Sequence, residues 1–420
     1  MPSTFQSTAR DDRMIPVEEA QQRVLAEVGL LGTEQVPLVE ALGRVLREDV
    51  RSMRDIPEAD NTAMDGYAVR SSDVADASVA KPVTLRVIED LPAGTVSMKH
   101  VDPGTAIRIM TGALIPPGAD AVVPVELTDA GSQSVQVNVP VAARANLRSR
   151  GEDMTRDSVV LTAGTRLGPA EVGVLASVQK PLVLVGRRPT VAIISTGDEV
   201  VEIDEPLAPG KVVNSNSYSL AALAREAGAL PLTMGITADT KEATIQTIEA
   251  ALQSDFVISS GGVSVGAYDF VKDALDALGA STRFWQVSMK PGKPVVLSTL
   301  RERLFFGLPG NPVSCMVSFL LFVGPSLRKS MGQKHDLIPP TVIGKLDGVL
   351  RSRGDRRAYQ RVRVVARDGE LIALPMSAQG SGVSTSMIRA NGFAVMETGV
   401  TSMASGALVP LVLFGPIQTD

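Results

Sequence analysis

Between Arg188 and Met331 one pattern recurs: a short apolar run, a loop, then a stretch with helical spacing. Thr190-Val-Ala-Ile-Ile-Ser195 is apolar and β-branched and runs into Thr196-Gly-Asp-Glu199. Asn214 to Ala227 follows as a helix, with Asn214, Ser215 and Asn216 offering an N-cap. Leu230 to Thr237 is the next strand and Lys241 to Leu252 the next helix. Asp255 to Ser260 is a second fully apolar strand, closed by Gly261-Gly262, and Leu304 to Leu308 leads into Pro309-Gly-Asn-Pro312. Strands apolar on both faces and alternating with helices predict a three-layer α/β domain with a mostly parallel sheet. Ligands of such folds sit beyond the carboxyl ends of the strands. The loops at Thr196, Gly261 and Pro309 should therefore share one edge.

The flanks differ in texture. Val17, Ala20, Val24, Leu25 and Val28 recur at helical spacing, as do Leu38, Leu42, Val45 and Leu46, so two helices are expected first. From Arg51 to about Arg144, short alternating stretches at Val83–Val87, Ala106–Met110 and Val135–Val139 are separated by Pro-Gly turns. That is a small all-β module, read as an insertion because Asn146 to Val185 is mixed again. After Met331, Tyr359–Val365 and Glu370–Leu374 flank Asp368-Gly369, a strong hairpin signal. Phe393–Met396 and Ala407–Phe414 add strands to a closing barrel or sandwich.

Composition excludes several function classes. The 420 residues, 44% of them hydrophobic, suffice for two to four domains at roughly 100–200 residues each. A net charge of −5 with 4% aromatics gives neither a phosphate-seeking field nor stacking residues, so no nucleic-acid partner is expected. Cys315 is the only cysteine and His100 and His335 the only histidines, which argues against disulfides, zinc and haem. The polar start, with Asp11 and Asp12, is not a secretory segment, and the apolar run Cys315–Val323 is too short for the ~20 residues that span a bilayer. A soluble, cytoplasmic protein is expected.

Neither a Walker A motif nor a GxGxxG turn after a strand is present. What remains is carboxylates and lysines on strand-end loops: Glu199, Asp239 and Asp269, with Lys290 and Lys293 around Pro291-Gly292. Each has a structural alternative. Asp239 with Glu242 suits a helix N-cap pair, and Thr196 with Glu199 a capping box. Asp65-Gly66 suits an ordinary turn, the lysine turn a solvated loop, and the arginines from Arg351 to Arg363 a solvated strand face. Cys315 reads as a small buried hydrophobe.

The ordered set resembles the molybdopterin molybdenumtransferase family, MoeA in bacteria and the gephyrin E domain in animals. The matching segments are Asp55–Val69, Arg108-Ile-Met-Thr-Gly-Ala113, Arg150-Gly-Glu-Asp153, Ser195-Thr-Gly-Asp-Glu199, Ser260–Asp269, Lys290-Pro-Gly-Lys-Pro294 and Gly307–Ser314. The C-terminal region matches through its β texture and Gln379-Gly-Ser381. The resemblance implies a multidomain fold: an elongated N-terminal domain (1–50 and 145–187), an inserted β domain (51–144), an α/β pterin-binding domain (188–332) and a C-terminal β-barrel (333–420). It implies molybdenum insertion into adenylylated molybdopterin with release of AMP. It assigns Asp65, Glu199, Asp239 and Asp269 as catalytic and metal-binding residues, with Mg²⁺ assisting. Substrate contacts are implied at Thr111, Arg148, Gly261, Gly262, Ser264, Lys290, Lys293, Pro309, Pro312, Arg361 and Ser381, with Thr111, Arg361 and Ser381 as donors to molybdate. It further implies a homodimer and docking of the separate adenylyltransferase. The alternative is a gephyrin-like dimeric scaffold that grips peptides of membrane or cytoskeletal partners.

If the lysine turn binds the anionic substrate, replacing Lys290 or Lys293 with Ala should weaken binding tenfold to a hundredfold without unfolding the protein. A charge-assisted bond contributes about 1.5–3 kcal/mol and 1.4 kcal/mol is one decade. Calorimetry on both variants checks this, and unchanged affinity in both would make the turn solvated decoration.

Overall fold

The structure is a computed structural model that describes residues 13–263 and 270–419. It divides into two compact units. One comprises Asp49–Thr162 with Gly173–Pro181; the other holds the chain up to Glu48, Ala163–Val172 and everything from Leu182.

The chain opens with α1 (Val17–Glu27), whose Val17, Ala20 and Val24 are buried. It lies against the helical segment Phe319–Ser330, with Lys329 donating to the Leu25 carbonyl. The second expected helix does not form. Leu38–Glu40 makes a single 3₁₀ turn and Gly43 takes a left-handed φ of +75°. Val45 and Leu46 then bury as isolated bridges to Arg166 and Val185. Only the last part of the apolar spacing turns inward, Leu42 being 59% exposed, and a left-handed glycine in its middle ends helical propagation and delivers Val45 and Leu46 from a non-helical backbone.

The unit of residues 49–162 is built on one sheet: β1 (Gly66–Val69), β2 (Val83–Leu91), β3 (Thr105–Ile109), β4 (Ala121–Pro124) and β5 (Ser134–Val137), in the order β4-β1-β3-β2-β5. Alternation sends Tyr67, Val69 and Ala106 into one core and Ala68, Ile107 and Ile109 into another. The Tyr67 ring is wholly buried and its hydroxyl donates to the Gly131 carbonyl at 3.0 Å.

The α/β domain follows in the other unit. Its elements are β6 (Thr190–Thr196), α2 (Ser215–Glu226), β7 (Leu230–Thr237), α3 (Lys241–Ala251), β8 (Phe256–Ser260), α4 (Phe270–Ala277), β9 (Ser281–Gln286), β10 (Pro294–Leu300), β11 (Arg303–Leu308) and α5 (Pro312–Ser318). The sheet order is β7-β6-β8-β11-β10-β9. The first four strands are parallel, and β10 runs against both β11 and β9. Val191 and Ile193 face α2 and α5; Ala192 and Ile194 face α3 and α4. Burial of both faces explains why β6 and β8 are unbroken apolar runs.

The last region is β12 (Thr341–Leu346), β13 (Arg357–Arg367), β14 (Glu370–Pro375), β15 (Gly392–Met396) and β16 (Leu408–Leu413). Pairing runs β13-β14-β12-β16-β15 and returns to β13, a closed five-stranded barrel. Asp368 and Gly369, both at positive φ, turn the β13–β14 hairpin.

A polar staple fixes the amino ends of β6 and β8. Asp255 accepts two bonds from Arg187, both 2.8 Å, and two from Thr190, from its amide at 2.8 Å and its hydroxyl at 3.0 Å. Burial raises the Asp255 pKa, but Arg187 and Thr190 outweigh it and leave the carboxyl below its ordinary value. Asp255→Ala should destabilise the protein by about 1–2 kcal/mol, less than a fully buried pair because Arg187 is partly solvated. The gap between wild type and variant should be complete above the unfolded carboxylate pKa of about 3.9 and vanish as pH falls through the lower folded value. Urea melts at neutral pH and at successive steps below the unfolded carboxylate pKa check both statements.

Candidate active site

Parallel register aligns the strand ends: Ser195 lies opposite Ser260, and Ser260 opposite Leu308. The loops that follow at Gly197, Gly261 and Pro309 therefore emerge side by side. Together with the first turn of α2 they enclose a cleft of about 750 Å³. Its lining includes Glu199, Asp239, Gly261, Gly262, Pro309 and Pro312.

Backbone proximity dictates the glycine pair. Gly261 and Gly262 take φ of +93° and +64°. A Cβ at Gly261 would stand 2.9 Å from the Thr196 carbonyl oxygen, and one at Gly262 2.9 Å from the Thr196 hydroxyl. Thr196 itself is 8% exposed, and among the described residues its hydroxyl has no hydrogen-bond partner.

The carboxylates are positioned by short loop bonds. Asp239 Oδ2 accepts from the Asp198 amide at 3.1 Å, and Asp198 Oδ1 accepts from the Asp239 amide at 3.2 Å. This reciprocal pair ties the loop after β6 to the loop after β7. Lys211 donates to the Asp198 carbonyl. Asp239 is not the helix cap that its spacing to Glu242 allowed, because Thr240 caps α3 by accepting from the Ala243 amide. Nor does Thr196–Glu199 open a helix: Val200-Val201 pairs with Val212-Val213 as a short parallel ribbon. The Glu199 carboxylate folds back over Gly197, whose φ of +131° suits glycine.

At the start of α2, Asn214 accepts from the Ser195 hydroxyl at 2.8 Å and donates to Glu202 at 3.0 Å. Asn216 donates to the Ser260 hydroxyl at 2.8 Å and to the Gly310 carbonyl at 2.7 Å. Cys315 lies beneath, fully buried, with burial pushing its thiol up to about 12. Such a thiol is no nucleophile.

Three stretches match known families: residues 15–178 the "MoeA N-terminal region (domain I and II)", 192–329 the "Probable molybdopterin binding domain" and 344–414 the "MoeA C-terminal region (domain IV)". The molybdopterin molybdenumtransferase of Bacillus subtilis is 38% identical over 406 residues, covering 95% of this chain and 94% of the relative. That of a Nostoc species is 39% identical over 422 residues, covering 99% and 94%. The chain belongs to the molybdopterin molybdenumtransferase family. The crystal structure of the molybdopterin biosynthesis MoeA protein from Pyrococcus horikoshii matches with a TM-score of 0.81 at 32% identity, over 96% of this chain and all of that one.

Other residues implied by the family resemblance lie elsewhere. Lys290 is half-buried and Lys293 exposed, on a turn that pairs with Arg357 and Ala358 of β13; neither lines the cleft, although Pro294 does. Arg361 is 1% exposed, and its guanidinium donates to the carbonyls of Ala378 and Gly380, both at 3.1 Å. It braces the loop whose Gly382 reaches the cleft, and the Ser381 carbonyl accepts from the Val313 amide at 3.1 Å. In the unit of residues 49–162, Asp65 accepts from both the amide and the hydroxyl of Thr111 at 2.7 Å. Those two bonds hold its carboxyl below the usual range. Arg148 is exposed there, paired through its backbone with Asn61. Ser264 and Asp269 lie outside the described residues.

Among the described residues no three carboxylate, histidine or cysteine side chains converge as a cation cage. Glu199 and Asp239 both line the cleft, and Mg²⁺ characteristically takes one or two carboxylates and completes its shell with phosphate and water. The donor set fits a cation that arrives with its nucleotide. Asp198, Asn214 and Asn216 went unassigned in the sequence, where the two asparagines read as caps; only their cross-loop partners reveal more.

Gly261→Ala should destabilise the protein by about 1–2 kcal/mol through its left-handed backbone, with further strain from the Thr196 contact. A urea melt measures the change. A neutral result would mean that the two loops have room to part.

Proposed function

We propose that this protein inserts molybdenum into adenylylated molybdopterin and releases AMP. The observation that carries this reading is the cleft at the carboxyl edge of β6, β8 and β11, inside the region that matches the molybdopterin-binding family. Its chemistry suits a nucleotide-linked anion: a glycine turn for close approach, the amino end of α2, and two carboxylates. In the reaction, water adds across the phosphoanhydride to give AMP and the molybdopterin phosphate. One molybdate oxygen leaves as water with the two thiol protons while two Mo–S bonds form. The protein's own metal-binding thiols are not needed, in keeping with a lone, buried Cys315.

Glu199 and Asp239 are proposed to hold the assisting Mg²⁺, which would offset phosphate charge; Asp65 and Asp269 are proposed as further acidic groups of the reaction. Lys290, Lys293 and Arg148 are proposed to bind the substrate's phosphates. Thr111, Arg361 and Ser381 are proposed to serve the molybdate. A homodimer is proposed as the working assembly, with the adenylyltransferase as the supplier of substrate. Among the described residues no helix is long and apolar enough to cross a membrane. The scaffold alternative gains no support from the cleft, since peptide gripping requires neither paired carboxylates nor a glycine cradle.

Asp239→Asn and Glu199→Gln preserve size and polarity but remove charge. Each should lower AMP release from adenylylated molybdopterin at limiting molybdate by at least about a hundredfold, the scale of one lost charge-stabilising group in a site. The melting temperature should hold, because each substitution keeps the size and polarity of the side chain. Full activity in both variants would remove these residues from the chemistry.

A further inference from the structure

We infer that Asn216 is a substrate-recognition residue, its side-chain carbonyl oxygen accepting a hydrogen bond from an exocyclic amino group on the substrate's heterocycle. The orientation of the amide is fixed by its surroundings. The Gly310 carbonyl can only accept, so the atom 2.7 Å from it must be Nδ2. The same nitrogen donates its second proton to Ser260 at 2.8 Å. Both donors are thereby used, and the amide cannot flip without setting two carbonyl oxygens against each other.

Among the described residues Oδ1 is left buried and without a partner. A buried acceptor left unsatisfied is costly, and such groups are usually completed by a ligand or an ordered water. The Thr196 hydroxyl on the same cleft is also unpartnered, but a hydroxyl can donate or accept and so specifies nothing. The Asn216 carbonyl only accepts, so its ligand must bring a donor. Val212, Val213 and Val263 give the cleft apolar surface suited to a flat ring. This inference rests on the proposed substrate, which carries two such rings: adenine with its 6-amino group and pterin with its 2-amino group.

Calorimetry of the full chain with two ligand pairs tests it: AMP against purine riboside 5′-monophosphate, and 6-hydroxymethylpterin against its 2-deamino analogue. The wild type should prefer the amino member of one pair by roughly tenfold to a hundredfold, and that pair identifies the ring. Asn216→Ala should bring the amino ligand down to the level of its deamino partner and leave that partner unchanged. If the Ala variant does not fold, the comparison within the two pairs on the wild type decides the matter alone. Absence of preference in both wild-type pairs overturns the inference, as does an equal loss for both members of a pair in the Ala variant. AMP release by the wild type is measured alongside. Turnover without amino preference sinks the role of Asn216 and leaves the proposed reaction standing.

Discussion

A strand buried on both faces has no side on which to carry polar chemistry. That constraint governs β6, β8 and β11, whose side chains pass alternately into the two cores of the α/β domain. Polar groups collect at the two ends of these strands. The amino ends hold the Asp255 staple with Arg187 and Thr190; the carboxyl ends hold the cleft. One end is built to be satisfied and rigid. Among the described residues, the other keeps buried polar atoms unpartnered, Thr196 Oγ1 and Asn216 Oδ1 included. Satisfied groups stabilise, whereas unsatisfied ones wait for a ligand.

The α/β domain was legible because its signals are local and redundant. Apolar runs, a helix-capping Asn214 and glycine breaks all pointed to the same elements, and the segments at Leu230–Thr237 and Lys241–Leu252 formed nearly where the spacing put them. The expected helix at Leu38–Leu46 failed for a reason that periodicity cannot register. The pattern sent Val45 and Leu46 inward but was wrong for the exposed Leu42, because Gly43 leaves the helical backbone on which the spacing depends.

The site was legible by residue type and less so by position. Glu199, Asp239, Gly261 and Gly262 meet at one cleft because parallel register aligns the strand ends. Arg361 illustrates the opposite case. As one of six arginines in a short stretch it read as part of a solvated strand face, yet it is buried under a loop, with one guanidinium nitrogen bonded to two carbonyls there. Asn216 gave no signal beyond a capping propensity. Its meaning depends on Gly310, 94 residues away, and no local pattern spans that distance.

The brace beneath the loop at residues 376–382 makes one wall of the cleft depend on the C-terminal barrel. Arg361 and Gln379 clamp each other, the Gln379 side chain accepting from the Arg361 amide and donating to its carbonyl. The loop they stiffen contacts the start of α5 and contributes Gly382 to the cleft. The C-terminal barrel is thus no interchangeable appendage. A chimera that grafts a relative's barrel onto this α/β domain inherits one wall of the cleft from the donor. A grafted barrel must therefore bring position 361, Gln379 and the loop above them as one set, because the partners in that brace all lie within the barrel region.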